Sequence, residues 1–332
     1  MSDTFETAPN SLAHLPVSLF GAAMGLEGLG LAARDAPLPG LPIFAEFFVV
    51  SGLLALVVLL GAYAVKLMRF PAAVKNEFLQ PAQMGFCATL PLALTLCGGG
   101  LWPYSMSVAQ ALWWGGCTLL LCYQAWALSR WIQGGIELGQ VNGGWMMIMI
   151  GGIVVPGTGI ALGNAEMSRF LFGLSAVATP FVMGLVFHRT VVGPPLPPTL
   201  RPTWFIFLVP PSLIYANGEL LSGGPSSVFL NGSFYAAMLL LPALLFAARG
   251  FTRWPFAASW WAFTFPLDAL AAAASRYARL HPGPLWESLF GLVLLLATGF
   301  VLMTGWKTLK SFCDGTLLAA PAPPSSPRVH GT

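Results

Sequence analysis

A chain of 332 residues that is 56% hydrophobic carries only 15 Lys plus Arg and 12 Asp plus Glu, so charged residues make up 8% of it, against about 25% in soluble domains. At a mean hydropathy of +0.75 there is too little polar surface to cover a water-soluble body, and the chain requires a bilayer as its solvent. A net charge of +3, with the basic residues scattered rather than striped, excludes a nucleic-acid partner.

Residues 1–14 are polar and carry Asp3 and Glu6 without Lys or Arg, so they lack the basic region of a cleaved signal and are expected to stay as a cytoplasmic N-terminal segment. Cut at its Gly, Pro and charge clusters, the rest offers ten apolar stretches of the length that crosses a hydrocarbon core. The first five spans are expected over 15–33, 43–68, 84–102, 105–132 and 145–163, and the second five over 170–188, 202–221, 228–248, 258–278 and 284–309. The fold class is therefore all-α integral membrane, with a transmembrane domain over 15–310. A cytoplasmic tail over 311–332 follows, and its Pro- and Ser-rich part from Ala319 reads as disordered.

Lys66, Arg69, Lys75, Arg130, Arg189, Arg201, Arg249, Arg253, Lys307, Lys310 and Arg328 fall on one side of this arrangement, and Arg34, Arg169, Arg276 and Arg279 on the other. Basic residues are retained in the cytoplasm, which puts both termini there in a multi-pass protein of the cell (inner) membrane.

Proline falls in or at the mouth of every odd-numbered span, as Pro16, Pro91, Pro156, Pro210 with Pro211, and Pro266. Among even spans only the sixth and eighth hold one, Pro180 and Pro242. Glycine shares the bias, with Gly21, Gly25, Gly28 and Gly30 in the first span and Gly98, Gly99 and Gly100 in the third. Irregular backbone is tolerated at membrane depth only where protein or a water-filled path covers it. The pattern predicts five helical hairpins, with kinked odd helices around a central pore and even helices outside.

Carboxylates within spans are costly and are functional candidates by default, which singles out Glu27, Asp268 and Glu219. Asp268 is one turn from Phe265, and Arg276 lies two turns beyond it, a column that can reach a pore or pair internally. Glu219, close to a helix end, reads as interfacial. Gln110 and Gln124 offer hydrogen bonds across a subunit contact. Cys87, Cys97, Cys117, Cys122 and Cys313 make no close-spaced pair and read as small apolar core residues. His14, His188, His281 and His330 lie at span edges or in tails, so neither haem nor metal ligation is expected, and no cofactor or enzymatic site is assigned.

Four segments in order, HLPVSLFGAAMGLEGLG at 14–30, EFLQPAQMGFCATLP at 77–91, LRPTWFIFLVPPS at 200–212 and WWAFTFPLDALA at 260–271, resemble the SLAC/TehA family. That family groups tellurite-resistance, C4-dicarboxylate and slow anion channel proteins, and the resemblance runs through all ten spans. It implies a homotrimer whose protomers each hold a pore, lined by the odd helices and blocked midway by a phenylalanine of the ninth. The matching residue is Phe265, and the glycine against which it packs corresponds to Gly21; Phe86 falls near aromatics of the third span. An aromatic ring in an apolar tube closes it sterically and by dewetting. The implied cargo is a small monovalent anion such as chloride or nitrate. The alternative is a secondary transporter or exporter of C4-dicarboxylates such as malate, or of oxyanions such as tellurite or sulfite, coupled to protons through Asp268 or Glu27. A pair of membrane arginines to clamp a dicarboxylate is lacking, since only Arg276 is near. No regulatory partner is identified.

Overall fold

The computed structural model describes residues 11–34, 36, 41–223 and 227–319. The first apolar stretch opens with 3-10 turns at Leu12–His14 and Val17–Leu19 and continues as α1 (Phe20–Arg34), followed by the single rod α2 (Pro42–Arg69). After the short α3 (Pro71–Leu79), the third stretch is assembled from α4 (Pro81–Met84), a 3-10 turn at Gly85–Ala88 and α5 (Thr89–Leu101). The rod α6 (Met106–Ile132) precedes a divided fifth stretch, α7 (Gly144–Val154) and α8 (Pro156–Ala161), and the rod α9 (Ala165–Val192) comes next. A 3-10 segment at Arg201–Leu208 leads into α10 (Val209–Ser222), and α11 (Val228–Ala247) follows as a rod. A second such segment at Ala258–Phe263 leads into α12 (Thr264–Leu280), and α13 (Pro284–Cys313) completes the series.

Among the described residues, seven of these helical segments are long and apolar enough to cross a membrane: Pro42–Arg69, Pro81–Leu101, Gly144–Ala161, Ala165–Val192, Arg201–Ser222, Val228–Ala247 and Pro284–Cys313. The fold is thus an all-α, multi-pass membrane architecture. The helices α1 and α12 have 15 and 17 residues and are not among the seven. The 27-residue α6 is long enough, but Gln, Ser, Trp and Tyr dilute its hydropathy.

Prolines sit where the composite segments change geometry. A proline lacks the N–H that the carbonyl four residues earlier would receive, so the turn before it tightens to i→i+3 bonding. Pro91, Pro210 and Pro266 each follow a 3-10 segment by two or three residues, and the Thr89, Val209 and Thr264 N–H groups donate to the Phe86, Ile206 and Trp261 carbonyls. Pro156 begins α8. Pro16 departs from the expectation of a helix kink: it is extended (φ −78°, ψ 137°) and lies ahead of the helix. Proline alone does not break a helix here, since α9 and α11 run through Pro180 and Pro242.

The broken segments lie inside. Buried residues make up 83% of the most apolar window in Pro81–Leu101, 83% in Gly144–Ala161 and 78% in Arg201–Ser222, but 28% in α2, 28% in α9 and 17% in α11. Each composite segment packs on the rod that follows it: α1 on α2, α5 on α6, α7 on α9, α10 on α11 and α12 on α13. The composite segments also touch one another in a closed cycle, from α1 to α5, α8, α10, α12 and back to α1.

Side chains from neighbouring elements satisfy the irregular backbone. Trp145 Nε1 donates to the Pro81 carbonyl at 2.7 Å, Asn142 Nδ2 to Ala82 at 2.9 Å and the Tyr123 hydroxyl to Met84 at 2.5 Å. In the fifth segment Gln124 Nε2 donates to Ile148 at 2.8 Å, Asn217 Nδ2 to Ile153 at 2.7 Å and Trp113 Nε1 to Val155 at 3.3 Å. Gln124 is therefore spent within the protomer rather than across a subunit contact, as is Gln110, whose Nε2 donates to the Leu162 carbonyl at 2.7 Å.

At the C-terminus the structure corrects the expected start of the tail. Residues 311–313 complete α13, and Thr316–Leu318 form a further 3-10 turn; residues 320–332 and the first ten residues lie outside the described residues. Cys87, Cys97 and Cys117 are buried as expected, but Cys122 and Cys313 are exposed.

Close approach of α7 and α9 depends on Gly152, where a Cβ would lie 2.2 Å from the Leu171 carbonyl oxygen, a backbone atom that cannot swing aside. Gly152→Ala is expected to lower stability by about 1–3 kcal/mol, the usual range for overpacking, despite the better helix propensity of alanine. Gly173→Ala, on α9 with nothing within 4 Å of the added carbon, is expected to be neutral or slightly stabilising; thermal unfolding in detergent checks both.

Candidate functional site

Three spaces that share lining residues lie along the inside of the closed cycle. At the end where His14 and Leu317 lie is a chamber of about 660 Å³, bordered also by Lys66, Asn76, Glu77 and Thr199 among others. It narrows to a neck of about 30 Å³, roughly the volume of one water molecule. Beyond the neck is a second chamber of about 830 Å³ whose wall carries Arg34, Arg276 and Arg279, with Glu46 and Asp268. Ser18, Phe86 and Ser259 line both the first chamber and the neck, and Phe265 lines both the neck and the arginine chamber. All five composite segments contribute to the neck: Ser18, Gly21 and Met24, then Phe86 and Thr89, Met147 and Ile150, Ile206 and Val209, and finally the stretch from Ser259 to Pro266.

Phe265 is in the first turn of α12, just past the 3-10 segment, which brings its ring to the axis at the junction of neck and chamber. Phe263 turns away from this axis, fully buried against Phe205 and Phe300 with centroid separations of 4.8 and 5.1 Å. The structure corrects the glycine assigned to the Phe265 ring. Gly21 lines the neck, but a Cβ there would meet Trp261 Cβ at 3.0 Å; the residue under the ring is Gly28, whose Cβ would lie 3.1 Å from Phe265 Cδ2. Gly21, Gly25 and Gly28 form one face of α1, and it is this face that admits Trp261, Thr264 and Phe265. Their spacing of four and three residues was the available signal for Gly28.

The expected membrane carboxylates separate. Asp268 lies in the arginine chamber one turn beyond Phe265, only 1% exposed, and neither of its oxygens has a hydrogen-bond partner among the described residues. Glu27 is equally buried but faces away from the axis, so the structure removes it from the expected pore lining. Added Cβ atoms at Gly52 of α2 and Gly100 of α5 would meet its Cγ at 2.6 Å and its Oε2 at 2.5 Å. Arg276 is in the chamber wall with Asp268. Glu219, expected at an interface, is buried at 5% exposure.

Two charge clusters, one at each chamber, were not anticipated. Lys66, 1% exposed, pairs with Glu77 at 2.8 Å and donates to the Leu15 carbonyl at 2.7 Å; Glu77 also receives the Tyr63 hydroxyl at 2.7 Å and the Val17 N–H at 3.3 Å. At the opposite end Arg34 makes a bidentate contact with Glu46, Nε and Nη2 each at 2.7 Å, and donates to the Gly100 carbonyl at 2.9 Å, while the Tyr104 hydroxyl donates to Glu46. In sequence these pairs are 11 and 12 residues apart, beyond the reach of helix-spacing rules. No group of three or more His, Cys, Asp and Glu among the described residues could hold a metal ion.

Lys66→Met strands a buried carboxylate and is expected to destabilise the protein by about 3–5 kcal/mol, the usual cost of breaking a buried pair from one side. Lys66→Met combined with Glu77→Gln is expected to recover most of that loss, which a double-mutant cycle of detergent unfolding measures.

The sequence profile of the SLAC1 family, described as voltage-dependent anion channel, matches residues 14–309. The chain is 25% identical to the guard cell S-type anion channel SLAC1 of Arabidopsis thaliana over 291 residues, covering 82% of this chain and 51% of that protein. It is 23% identical to the S-type anion channel SLAH3 of the same plant over 300 residues, covering 86% and 47%. It thus spans about half the length of these plant relatives. Over 304 residues it is 23% identical to a tellurite resistance protein TehA homolog of Haemophilus influenzae, covering 89% of this chain and 92% of that one.

Proposed function

This chain belongs to the voltage-dependent anion channel family, and we propose that it is a gated pore for small monovalent anions such as chloride and nitrate, closed by the side chain of Phe265. The observation that carries this reading is that two chambers flank a neck of about 30 Å³ and share lining residues with it, Phe265 being common to the neck and the arginine chamber. A space of that size, lined mostly by Met, Ile, Val and aromatic side chains, does not hold the shell of water an anion needs, and it opens if the ring rotates. Gly28 leaves room beside the ring, and Gly21 keeps the wall of the neck thin where Trp261 crosses it.

In this proposal the ten helical segments are ten transmembrane spans in five hairpins, with the composite segments as pore wall. Their closed cycle of contacts and their burial support it. In this proposal the basic residues put both termini on the cytoplasmic side of a cell (inner) membrane, so the Lys66 chamber faces inward and the arginine chamber outward. The exposed apolar faces of the even rods meet lipid or neighbouring protomers of the homotrimer that the family resemblance implies.

The wide chamber with Arg34, Arg276 and Arg279 favours a second reading, a saturable carrier or exporter of C4-dicarboxylates or oxyanions, which the name of the tellurite resistance relative also supports. Arg34 is already committed to Glu46, which weakens a two-arginine clamp.

Flux into reconstituted liposomes separates the two. Phe265→Ala is expected to raise chloride and nitrate flux at least about tenfold, the factor carried by 1.4 kcal/mol of barrier, without saturation. An unchanged rate, or saturable malate or tellurite movement, would overturn the channel reading.

A further inference from the structure

Next to the Phe265 constriction is a carboxyl group that a pore for anions does not explain. Asp268 follows Phe265 by one helical turn, and both side chains rest on the same glycine: a Cβ at Gly28 would lie 2.9 Å from Asp268 Oδ2 and 3.1 Å from Phe265 Cδ2. The carboxyl is 1% exposed, borders the arginine chamber and accepts no hydrogen bond from a described residue. An anion that passes the ring enters the chamber whose wall this group borders.

Among the described residues, no ion pair joins Asp268 to a charged side chain. From α1 it faces Gly28; Arg34, at the far end of that helix, is held by Glu46 of α2, and Glu27 points to the opposite side. From α10 the chamber receives Asn217, whose amide is bonded to Ile153, while Glu219 does not line the chamber. No Asp, Glu, Lys, Arg or His occurs in α11, whose Tyr235 hydroxyl lies 3.0 Å from that of Tyr277. On α13 the charged residues Glu287, Lys307 and Lys310 are near its two ends. The segment Arg201–Leu208 carries only Arg201, bonded to the Leu196 carbonyl at 3.2 Å, and Ala258–Phe263 carries no charge. On its own helix Arg276 is eight residues away, about 12 Å along the axis at 1.5 Å per residue, and Arg279 is farther.

We propose that Asp268 forms a proton-dependent anion subsite on the arginine-chamber side of the Phe265 constriction. With its proton, the carboxyl is a neutral hydrogen-bond donor that replaces part of the hydration shell of an anion leaving the neck. Without it, a negative charge stands a few ångström from the path and turns anions back. The ligand class is an anion with an acceptor oxygen, such as nitrate or a carboxylate, accompanied by a proton held at Asp268 Oδ. Gly28 is part of the subsite because any larger side chain would occupy the seat of both groups.

This inference rests on the pore reading, and its test uses the Phe265→Ala background so that the ring is not the barrier. Nitrate flux into liposomes is measured from neutral to mildly acid pH with position 268 as Asp, Asn and Glu. The expected result is a rise of at least about tenfold on acidification with Asp, the scale set by a nearby charge of low screening, a high and flat profile with Asn, and a retained pH dependence with Glu. Infrared difference spectra on the Phe265-containing protein give a readout independent of flux: a carboxylic-acid carbonyl band that grows with acid and is missing in Asp268→Asn. Identical pH profiles with Asp and Asn, or a band unchanged by Asp268→Asn, overturn the subsite while leaving the pore intact. Failure of Phe265→Ala to pass any anion at any pH overturns the pore reading itself, and the subsite with it.

Discussion

In a hydrocarbon solvent no water is at hand to bond a backbone group that its own helix has released, and this constraint organises the molecule. Composite segments release carbonyls wherever a helix changes to 3-10 geometry or stops at proline. Those segments are therefore the ones enclosed by rods, and the carbonyls of Pro81, Ala82, Met84, Ile148 and Ile153 are met by Trp, Asn, Tyr and Gln side chains from other elements. In the rods, by contrast, Ser51, Thr190, Ser233 and Thr298 fold back on the carbonyl four residues earlier in their own helix. The rods stay self-sufficient, and irregular helices are placed where partners exist. The irregular backbone in turn brings Phe86 and Phe265 to the axis, at the two ends of the neck.

The few charges in the chain also serve this enclosure. Helix α2 holds the first segment at both ends, through Glu46 to Arg34 at one and through Lys66 to the Leu15 carbonyl at the other. Glu46 is near the N-terminus of α2 and Lys66 near its C-terminus, the signs that the helix dipole favours. Lys66 and Glu77 also satisfy backbone around the extended Pro16, so an ion pair that is costly to bury is at the same time the cap of a broken helix start. The glycine face of α1 can then lie close to α12, and that approach sets the position of Phe265 relative to Gly28.

Much of the architecture was legible in the sequence, because the solvent is apolar and helix periodicity is local. Ten apolar stretches became helical within a few residues of their expected bounds, and the proline bias of odd stretches marked the segments that are interrupted. Phe265 and Asp268 were legible as neighbours because one helical turn relates them. Gly21 was misassigned as the partner of the ring, since which of three glycines on one face lies under a given side chain depends on the axial offset of two helices. Glu27 was legible as a membrane carboxylate, but not that it faces α2 and α5 rather than the axis. Pro16 looked like a kink and is instead an extended residue ahead of the helix.

By itself, then, the sequence determined the solvent, the helical class, the lengths of the stretches and which of them carry breaks, all consequences of composition and of spacing along one chain. Only the tertiary structure decided the closed cycle of broken segments, the ion pairs 11 and 12 residues apart, the glycine under the Phe265 ring and the burial of Asp268 without a hydrogen-bond partner among the described residues. Those features depend on the offset and rotation of helices packed against each other, and no local spacing encodes either quantity.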